Sequence, residues 1–215
     1  MAVGDNVAAI RERIARAGGD PDAITIVGAK PPSVDACHEA IAAGVVDLGE
    51  NRAQELLTKA PLVDGARWHF IGRLQTNKVR SLAAHVSLWE SVDRSQVVAE
   101  LGRRAPGAAV LVQVNISDEP QKGGCAVAAT EGLVDEARAA GLLVRGLMGI
   151  GPDGPPEGAR PGFSVLARLA DELHLEVRSM GMSNDLEVAV QEGATMVRVG
   201  TGLFGPRPSQ HLRPD

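Results

Sequence analysis

Eight short apolar segments rich in β-prone residues recur along the chain, and this repetition limits the folds open to it. The segments are ITIVGAK from Ile24, VVDLGE from Val45, RWHFIG from Arg67, VSLWESV from Val86, AVLVQVNI from Ala109, LVRGLMGIG from Leu143, EVRSMGMS from Glu176 and TMVRVGTGLFG from Thr195. Between them, apolar residues recur at helical spacing, as in Leu166, Leu169 and Leu173. Buried strands that alternate with helices predict a parallel sheet. Eight such units favour a single (β/α)8 TIM barrel over an open doubly wound sheet.

The two ends of the chain lie outside this repetition. Apolar residues stand at helical spacing before Gly18; they are Val3, Val7, Ile10 and Ile14. We therefore predict an extra N-terminal helix over residues 1–18. Too few residues follow the eighth segment for a full closing helix, so we expect the N-terminal helix to cover that seam. A length of 215 residues suits one barrel, and we predict a single domain over 1–215 with a flexible tail over 206–215.

Charge and cysteine content exclude several classes of function. The net charge is -5 and no basic stripe is present, which argues against nucleic acid as a partner. The two cysteines, Cys37 and Cys125, lie far apart and lack metal-ligand spacing, so we predict no metal site and no disulfide. No apolar run approaches the length that spans a membrane. We expect a soluble, cytoplasmic monomer.

Polar residues close most of the predicted strands, at the end of a barrel where enzymes and binding proteins place their sites. They are Lys30, Glu50, Asn51, His69, Gly72, Ser91, Asp93, Asn115, Ser183, Arg198 and Thr201. Lys30 ends an apolar strand, where partial desolvation would favour the neutral amine that attacks carbonyl groups. The alternative is a lysine that extends its ammonium into water.

The last two strands end in segments typical of phosphate sites. MGMSND from Met180 and RVGTG from Arg198 supply hydroxyls and glycines, and Asn184 with Glu187 resembles a helix-capping pair. The alternative is ordinary turn glycine and capping. Arg198 is predicted to point inward beside the phosphate site, where it needs an anionic or acceptor partner. The alternative is a salt-bridged barrel arginine without a role in binding. His69, between Trp68 and Phe70, is more typical of a hydrogen-bonded core or rim histidine than of a catalytic one.

Several ordered motifs together resemble those of the pyridoxal phosphate homeostasis proteins, a single-barrel family related to the N-terminal domain of alanine racemase. The motifs are WHFIGRLQTNK from Trp68, GENRAQEL from Gly49, VNIS from Val114, KGG from Lys122, RGLMGI from Arg145 and SMGMSNDLEVAVQEGATMVRVGT from Ser179. They span nearly the whole chain. The resemblance implies vitamin B6 homeostasis, with pyridoxal 5'-phosphate as the cofactor and apo-enzymes that receive it as partners.

The same resemblance implies roles for individual residues. Lys30 would form a Schiff base with the cofactor, and Arg198 would face its pyridine nitrogen. Ser183, Gly200 and Thr201 would hold the phosphate, while Asn51, His69 and Asn115 would line the pocket. Lys122 matches a family lysine that would be a further cofactor contact. The chain departs from the family pattern at Ala29 and Pro32, where relatives usually carry Ser and often a second Lys.

The residues also bear on whether the chain is an enzyme. An arginine, with a pKa above ~12, cannot readily protonate the pyridine nitrogen, so the cofactor would be a poor electron sink. The chain has no tyrosine to act as the second base of a racemase. We therefore expect a cofactor-holding protein without catalytic residues. Two alternatives remain open: a pyridoxal phosphate-dependent enzyme of narrow scope, such as an amino-acid racemase, and a cofactor-free Schiff-base aldolase or phosphate-binding isomerase.

Overall fold

Eight parallel strands form a closed barrel in chain order, as the sequence predicts. The structure is a computed structural model and describes residues 2–117, 119 and 122–206, so most of the predicted tail lies outside the described residues. The strands are β1 (Thr25–Ala29), β2 (Asp47–Glu50), β3 (Arg67–Phe70), β4 (Val86–Val92), β5 (Ala109–Val114), β6 (Leu143–Gly149), β7 (Val177–Ser179) and β8 (Met196–Val199). Pairing of β1 with both β2 and β8 closes the barrel, which excludes the open sheet.

Helices surround the barrel. They are α1 (Val3–Arg16), α2 (Val34–Ala42), α3 (Ala53–Lys59), α4 (Thr76–Leu82), α5 (Ser95–Arg104), α6 (Thr130–Ala139), α7 (Arg160–Glu172), α8 (Leu186–Gln191) and α9 (Thr201–Phe204). Short 3-10 turns occupy Ala60–Leu62, Val127–Ala129 and Pro156–Ala159. Within the described part of the chain, none of the helices has the length and apolar character needed to cross a bilayer.

The N-terminal helix α1 closes the gap in the helical layer. The helix after β8 has only four residues, so it cannot cover the seam between β8 and β1. Helix α1 packs against α2, α8 and α9, and the four apolar residues predicted to form its inner face are all buried. Burial of one aliphatic side chain contributes about 1.5–3 kcal/mol, which offsets the ordering of this segment. The prediction of an extra helix over this seam is confirmed.

The interior of the barrel contains an apolar part and a polar part. Residues two apart along a strand share a face, so each strand sends alternate side chains inward. A small apolar cluster, separate from the main core between barrel and helices, comprises Val27, Leu88, Leu111, Met148 and Met196. Two residues further along their strands, Glu90 follows Leu88 and Arg198 follows Met196. In β4 and β8, polar side chains therefore lie nearer the carboxyl ends than the apolar cluster does.

A buried histidine between two carboxylates forms one half of this polar part. His69 Nδ1 lies 2.6 Å from Glu90 Oε1, and His69 Nε2 lies 3.1 Å from Asp47 Oδ1. Burial alone would lower the pKa of His69, but the hydrogen bonds and charges of Asp47 and Glu90 raise it to about 9. At neutral pH the imidazole is therefore protonated and donates from both nitrogens. Arg67 also donates to Asp47, over 2.8 Å from its Nε to Oδ1.

The second half of the polar part reaches Arg198. Ser179 Oγ donates to Glu90 Oε2 over 2.6 Å, and Arg198 Nη1 donates to Ser179 Oγ over 2.6 Å. Burial alone would raise the pKa of Glu90, but His69 and then Arg198 and Ser179 hold it below its usual value. Glu90 is therefore an ion shared between two cations inside the barrel.

The charge of His69 makes stability depend on pH in a predictable direction. Its pKa is about 9 in the folded chain, against roughly 6.5 unfolded, so its contribution is complete below pH ~6.5 and is lost as the pH rises through 9. This difference corresponds to about 3 kcal/mol. Urea unfolding from pH 6 to 10 should show the advantage of the parent chain over His69→Gln shrinking with pH. His38→Gln, on the exposed face of α2, is the control. A constant difference between parent and His69→Gln would contradict the prediction.

Candidate functional site

A cleft at the carboxyl ends of the strands brings together six of the eight predicted site residues. It encloses about 390 Å³. The predicted residues that line it are Lys30, Asn51, Ser183, Arg198, Gly200 and Thr201. They come from the ends of β1, β2, β7 and β8, which a closed barrel places around one opening. The cleft therefore combines an amine, two hydroxyls, an amide and a guanidinium.

Lys30 occupies a strained turn directly after β1. Its φ of 55° lies in the left-handed region, which costs a residue with a Cβ about 1–3 kcal/mol and occurs often at functional sites. The Lys30 backbone N donates to Gly49 O over 2.7 Å. Just beyond, buried Lys59 donates to Pro31 O and pairs with Glu50, both at 2.6 Å. The turn is thereby held on both sides of Lys30.

Lys30 is more exposed to solvent than its position after an apolar strand suggests. The residue as a whole is exposed in the structure, which favours the alternative of a lysine that extends toward water. The barrel ends at Ala29, which is buried, and the left-handed turn carries Lys30 out to the rim. The residue therefore lies where the cleft meets the surface.

The loops after β7 and β8 are joined to each other across the cleft. Gly202 N donates to Ser183 Oγ over 3.0 Å, so the two loops share a hydrogen bond. Gly200 lies close to β1, where an added Cβ would stand 3.0 Å from Ala29 O. Hydroxyls and backbone without side chains are suited to an anionic group such as phosphate.

The predicted capping pair of Asn184 and Glu187 is wrong. Helix α8 begins at Leu186, and its cap residue Asp185 uses Oδ1 to accept from Met182 N over 2.6 Å. Asn184 Nδ2 donates instead to Gly154 O over 3.2 Å. Glu187 pairs with Arg13 of α1 at 2.6 Å, because α1 packs beside α8. Asn184 and Glu187 therefore stabilise the region after β7 through contacts with other segments, and neither caps α8.

Arg198 presents a fixed guanidinium at the base of the cleft. Its Nη2 donates to Gly149 O over 2.7 Å and its Nη1 to Ser179 Oγ over 2.6 Å, while Nη1 lies 3.9 Å from Glu90 Oε2. Burial lowers the pKa of Arg198, and the nearby charges of Glu90 and Asp185 oppose this effect. Two hydrogen bonds and a carboxylate leave the guanidinium little freedom to move.

The structure does not bring the other two predicted residues to the cleft. His69 lies in the barrel interior and reaches Arg198 only through Glu90 and Ser179. Asn115 Nδ2 donates to Glu119 O over 3.1 Å and so supports the loop after β5. In the same loop, Lys122 Nζ donates to Gly151 O over 2.7 Å.

Four further residues line the cleft without having been singled out for it from the sequence. They are Ala29, Ile71, Ile150 and Met182, and all four lie within the segments quoted above. Gly72 and Asn184, which the sequence analysis named, also line the cleft. Gly72 is the most constrained, because a Cβ at this position would stand 2.1 Å from Asn51 O. The described residues include no group of three or more His, Cys, Asp or Glu side chains placed to hold a metal ion.

The chain resembles proteins of known family in sequence and in fold. Residues 2–208 match the model of the alanine racemase N-terminal domain. A pyridoxal phosphate homeostasis protein of Pseudomonas aeruginosa is 42% identical over 212 residues, which cover 93% of this chain and 92% of the relative. One of Aquifex aeolicus is 40% identical over 215 residues, covering 92% and 93%.

The solved structures agree with this assignment. PipY of Synechococcus elongatus, solved with PLP bound, has a TM-score of 0.75 and 31% identity. The alignment covers 91% of this chain and all of PipY, 100%. The chain therefore belongs to the alanine racemase N-terminal domain family and, within it, to the pyridoxal phosphate homeostasis proteins.

Proposed function

We propose that this chain binds pyridoxal 5'-phosphate as a Schiff base on Lys30 and serves in vitamin B6 homeostasis. The observation that carries the proposal is the convergence of Lys30, the joined loops of Ser183 and Thr201, and the buried Arg198 on one cleft. The names of the homeostasis relatives and the PLP-bound PipY support the same cofactor.

The residues of the cleft fit the chemical groups of this cofactor. The amine of Lys30 fits its aldehyde, since lysine amines form Schiff bases with carbonyl groups. The hydroxyls of Ser183 and Thr201, with the open backbone of Gly200, fit its phosphate. Arg198 fits the pyridine nitrogen as a hydrogen-bond donor, and Asn51 adds a polar wall. We propose that His69 and Asn115 act indirectly, through Arg198 and through the loop after β5.

The same geometry favours holding the cofactor over turning over a substrate. When bound, pyridoxal phosphate supplies an electron sink whose strength depends on a proton at the pyridine nitrogen. Arg198 is charged and fixed by Gly149 and Ser179, so it offers a hydrogen bond and retains its proton. The absence of tyrosine from the sequence removes the usual second base of a racemase.

The remaining parts of the proposal concern where and with what the chain acts. We propose a monomeric, cytoplasmic protein that folds as a single domain over residues 1–215. Its partners in this view are pyridoxal phosphate and apo-enzymes that receive the cofactor. The exposed position of Lys30 supports delivery, because release of the cofactor would require hydrolysis of its bond to the lysine.

The first test is covalent attachment at Lys30. After incubation with pyridoxal phosphate and borohydride reduction, peptide mapping should place the reduced cofactor on Lys30 at about one per chain. Lys30→Ala should lose the visible absorbance of the bound cofactor because no other amine lines the cleft among the described residues. Lys78→Ala removes another exposed lysine and should retain the absorbance. Label at Lys78 with none at Lys30 would overturn the proposal.

The second test separates a holding protein from a narrow enzyme. The loaded chain should be incubated with a panel of amino acids of both configurations, with chiral chromatography of the products. We expect no more than one equivalent converted per chain, because Arg198 keeps the electron sink weak. Multiple turnovers that disappear in Lys30→Ala would establish the enzyme instead. A chain that shows no cofactor absorbance, yet cleaves or isomerises a carbonyl substrate, would favour the cofactor-free alternative.

A further inference from the structure

A second cavity adjoins the Lys30 cleft on the other side of Asn51. It encloses about 340 Å³ and opens between the segments that follow β2 and β3. Arg52, Arg73 and Lys78 contribute its charged lining, while Phe70 and Leu57 contribute apolar surface. A volume of this size lies within the range of pockets that bind small molecules.

The charge of this cavity is uncompensated within the described part of the chain. The side chains of Arg52, Arg73 and Lys78 have no hydrogen bond or ion pair to any described residue, and no carboxylate lines the cavity. Elsewhere most described basic side chains pair with an acid, as Arg13 does with Glu187. Three cations around one concavity repel one another unless an anion is bound, and this is unexpected in a chain of net charge -5.

The second cavity and the Lys30 cleft meet at Asn51 and at the segment of Gly72 and Arg73. Asn51 lines both, and Gly72, which lines the first, precedes Arg73, which lines the second. Gly72 is pressed against Asn51, where a Cβ would stand 2.1 Å from the carbonyl oxygen. Ser91 Oγ donates to Gly72 O over 2.5 Å, and this hydrogen bond restrains the backbone of Gly72. The two cavities are therefore neighbours that share Asn51 and otherwise have different lining residues.

We propose that the second cavity is a non-covalent site for a small phosphate-bearing molecule with an apolar or aromatic body. Arg and Lys side chains are the usual partners of phosphate oxygens, and Arg52 and Arg73 offer planar donors for them. Buried Phe70 and half-buried Leu57 offer the surface for the body of the molecule. The concave shape favours a small molecule over an acidic protein segment. This site does not depend on the chemistry of Lys30.

The test uses phenyl phosphate as the probe, because it joins a phosphate to an aromatic ring and has no carbonyl to react with Lys30. The chain is first loaded with pyridoxal phosphate and reduced with borohydride, so the Lys30 cleft is filled. Calorimetric titration should then show one saturable site that weakens with added salt. Phenol, which lacks the phosphate, should not bind.

Matched variants locate the site. The double variant Arg73→Gln, Lys78→Gln should weaken phenyl phosphate binding about ten-fold or more, since it removes two charged donors. Arg80→Gln removes an exposed cation from the same helix α4 that does not line the cavity, and should bind as the parent does. All three positions are exposed, so far-UV circular dichroism should show unchanged folding.

Failure of this proposal is distinguishable from failure of the proposed function. If no cofactor attaches to Lys30, the titration is run on the unloaded chain, where loss in the double variant but not in Ser183→Ala still supports the second site. Equal weakening in Arg80→Gln and the double variant would overturn it, because only general charge would then matter. Binding of poly-glutamate without binding of phenyl phosphate would also overturn it and assign the surface to acidic protein segments.

Discussion

The carboxylate of Glu90, fully buried inside the closed barrel, is the group on which the polar interior depends. Burying a charge away from water destabilises the fold unless the charge is paired and hydrogen-bonded. Glu90 meets this requirement because each of its two carboxylate oxygens has a different partner. One faces His69 and the other accepts from Ser179, beside Arg198. Without Glu90, the buried His69 and Arg198 would lose the carboxylate that lies between them, leaving Asp47 beside His69 and Asp185 near Arg198. Charge balance deep in the barrel therefore fixes the guanidinium that forms the base of the cleft.

The same logic explains why the cleft is rigid at its base and open at its rim. Arg198 is buried and held by Ser179 and Gly149, whereas Lys30 stands on a left-handed turn beyond the last buried residue of β1. The loops that complete the rim are tied to one another through Ser183 and Gly202. A ligand held between these parts would have a fixed orientation at one end and solvent access at the other.

The barrel and most of the cleft could be predicted from the sequence because both follow from local patterns. Apolar segments define the strands, and a residue that ends a strand faces the common opening whatever its long-range partners are. The positions of Lys30, Ser183 and Thr201 in the cleft could be predicted for this reason. The family motifs added Asn51, which periodicity alone would have left as one polar residue among several.

The residues whose surroundings the sequence did not predict are held by partners that lie far away in sequence. His69 is held by Asp47 and Glu90, which are 22 and 21 residues away, and no local pattern joins the three. Glu187 was expected to cap α8, but Arg13 lies 174 residues away in sequence and takes its carboxylate. The cavity of Arg52, Arg73 and Lys78 likewise forms only when the segments after β2 and β3 become neighbours.

Water access is the point at which the proposed function departs most clearly from catalysis. Enzymes that stabilise reactive carbanions gain from excluding water, because water competes for protons and hydrogen bonds. A protein that must give up its cofactor needs the opposite, since hydrolysis of the bond to lysine returns the free aldehyde. Lys30 is exposed at the rim, while the fixed Arg198 would keep the cofactor a weak electron sink. Exposure at one end and a non-acidic partner at the other together favour holding and release over turnover.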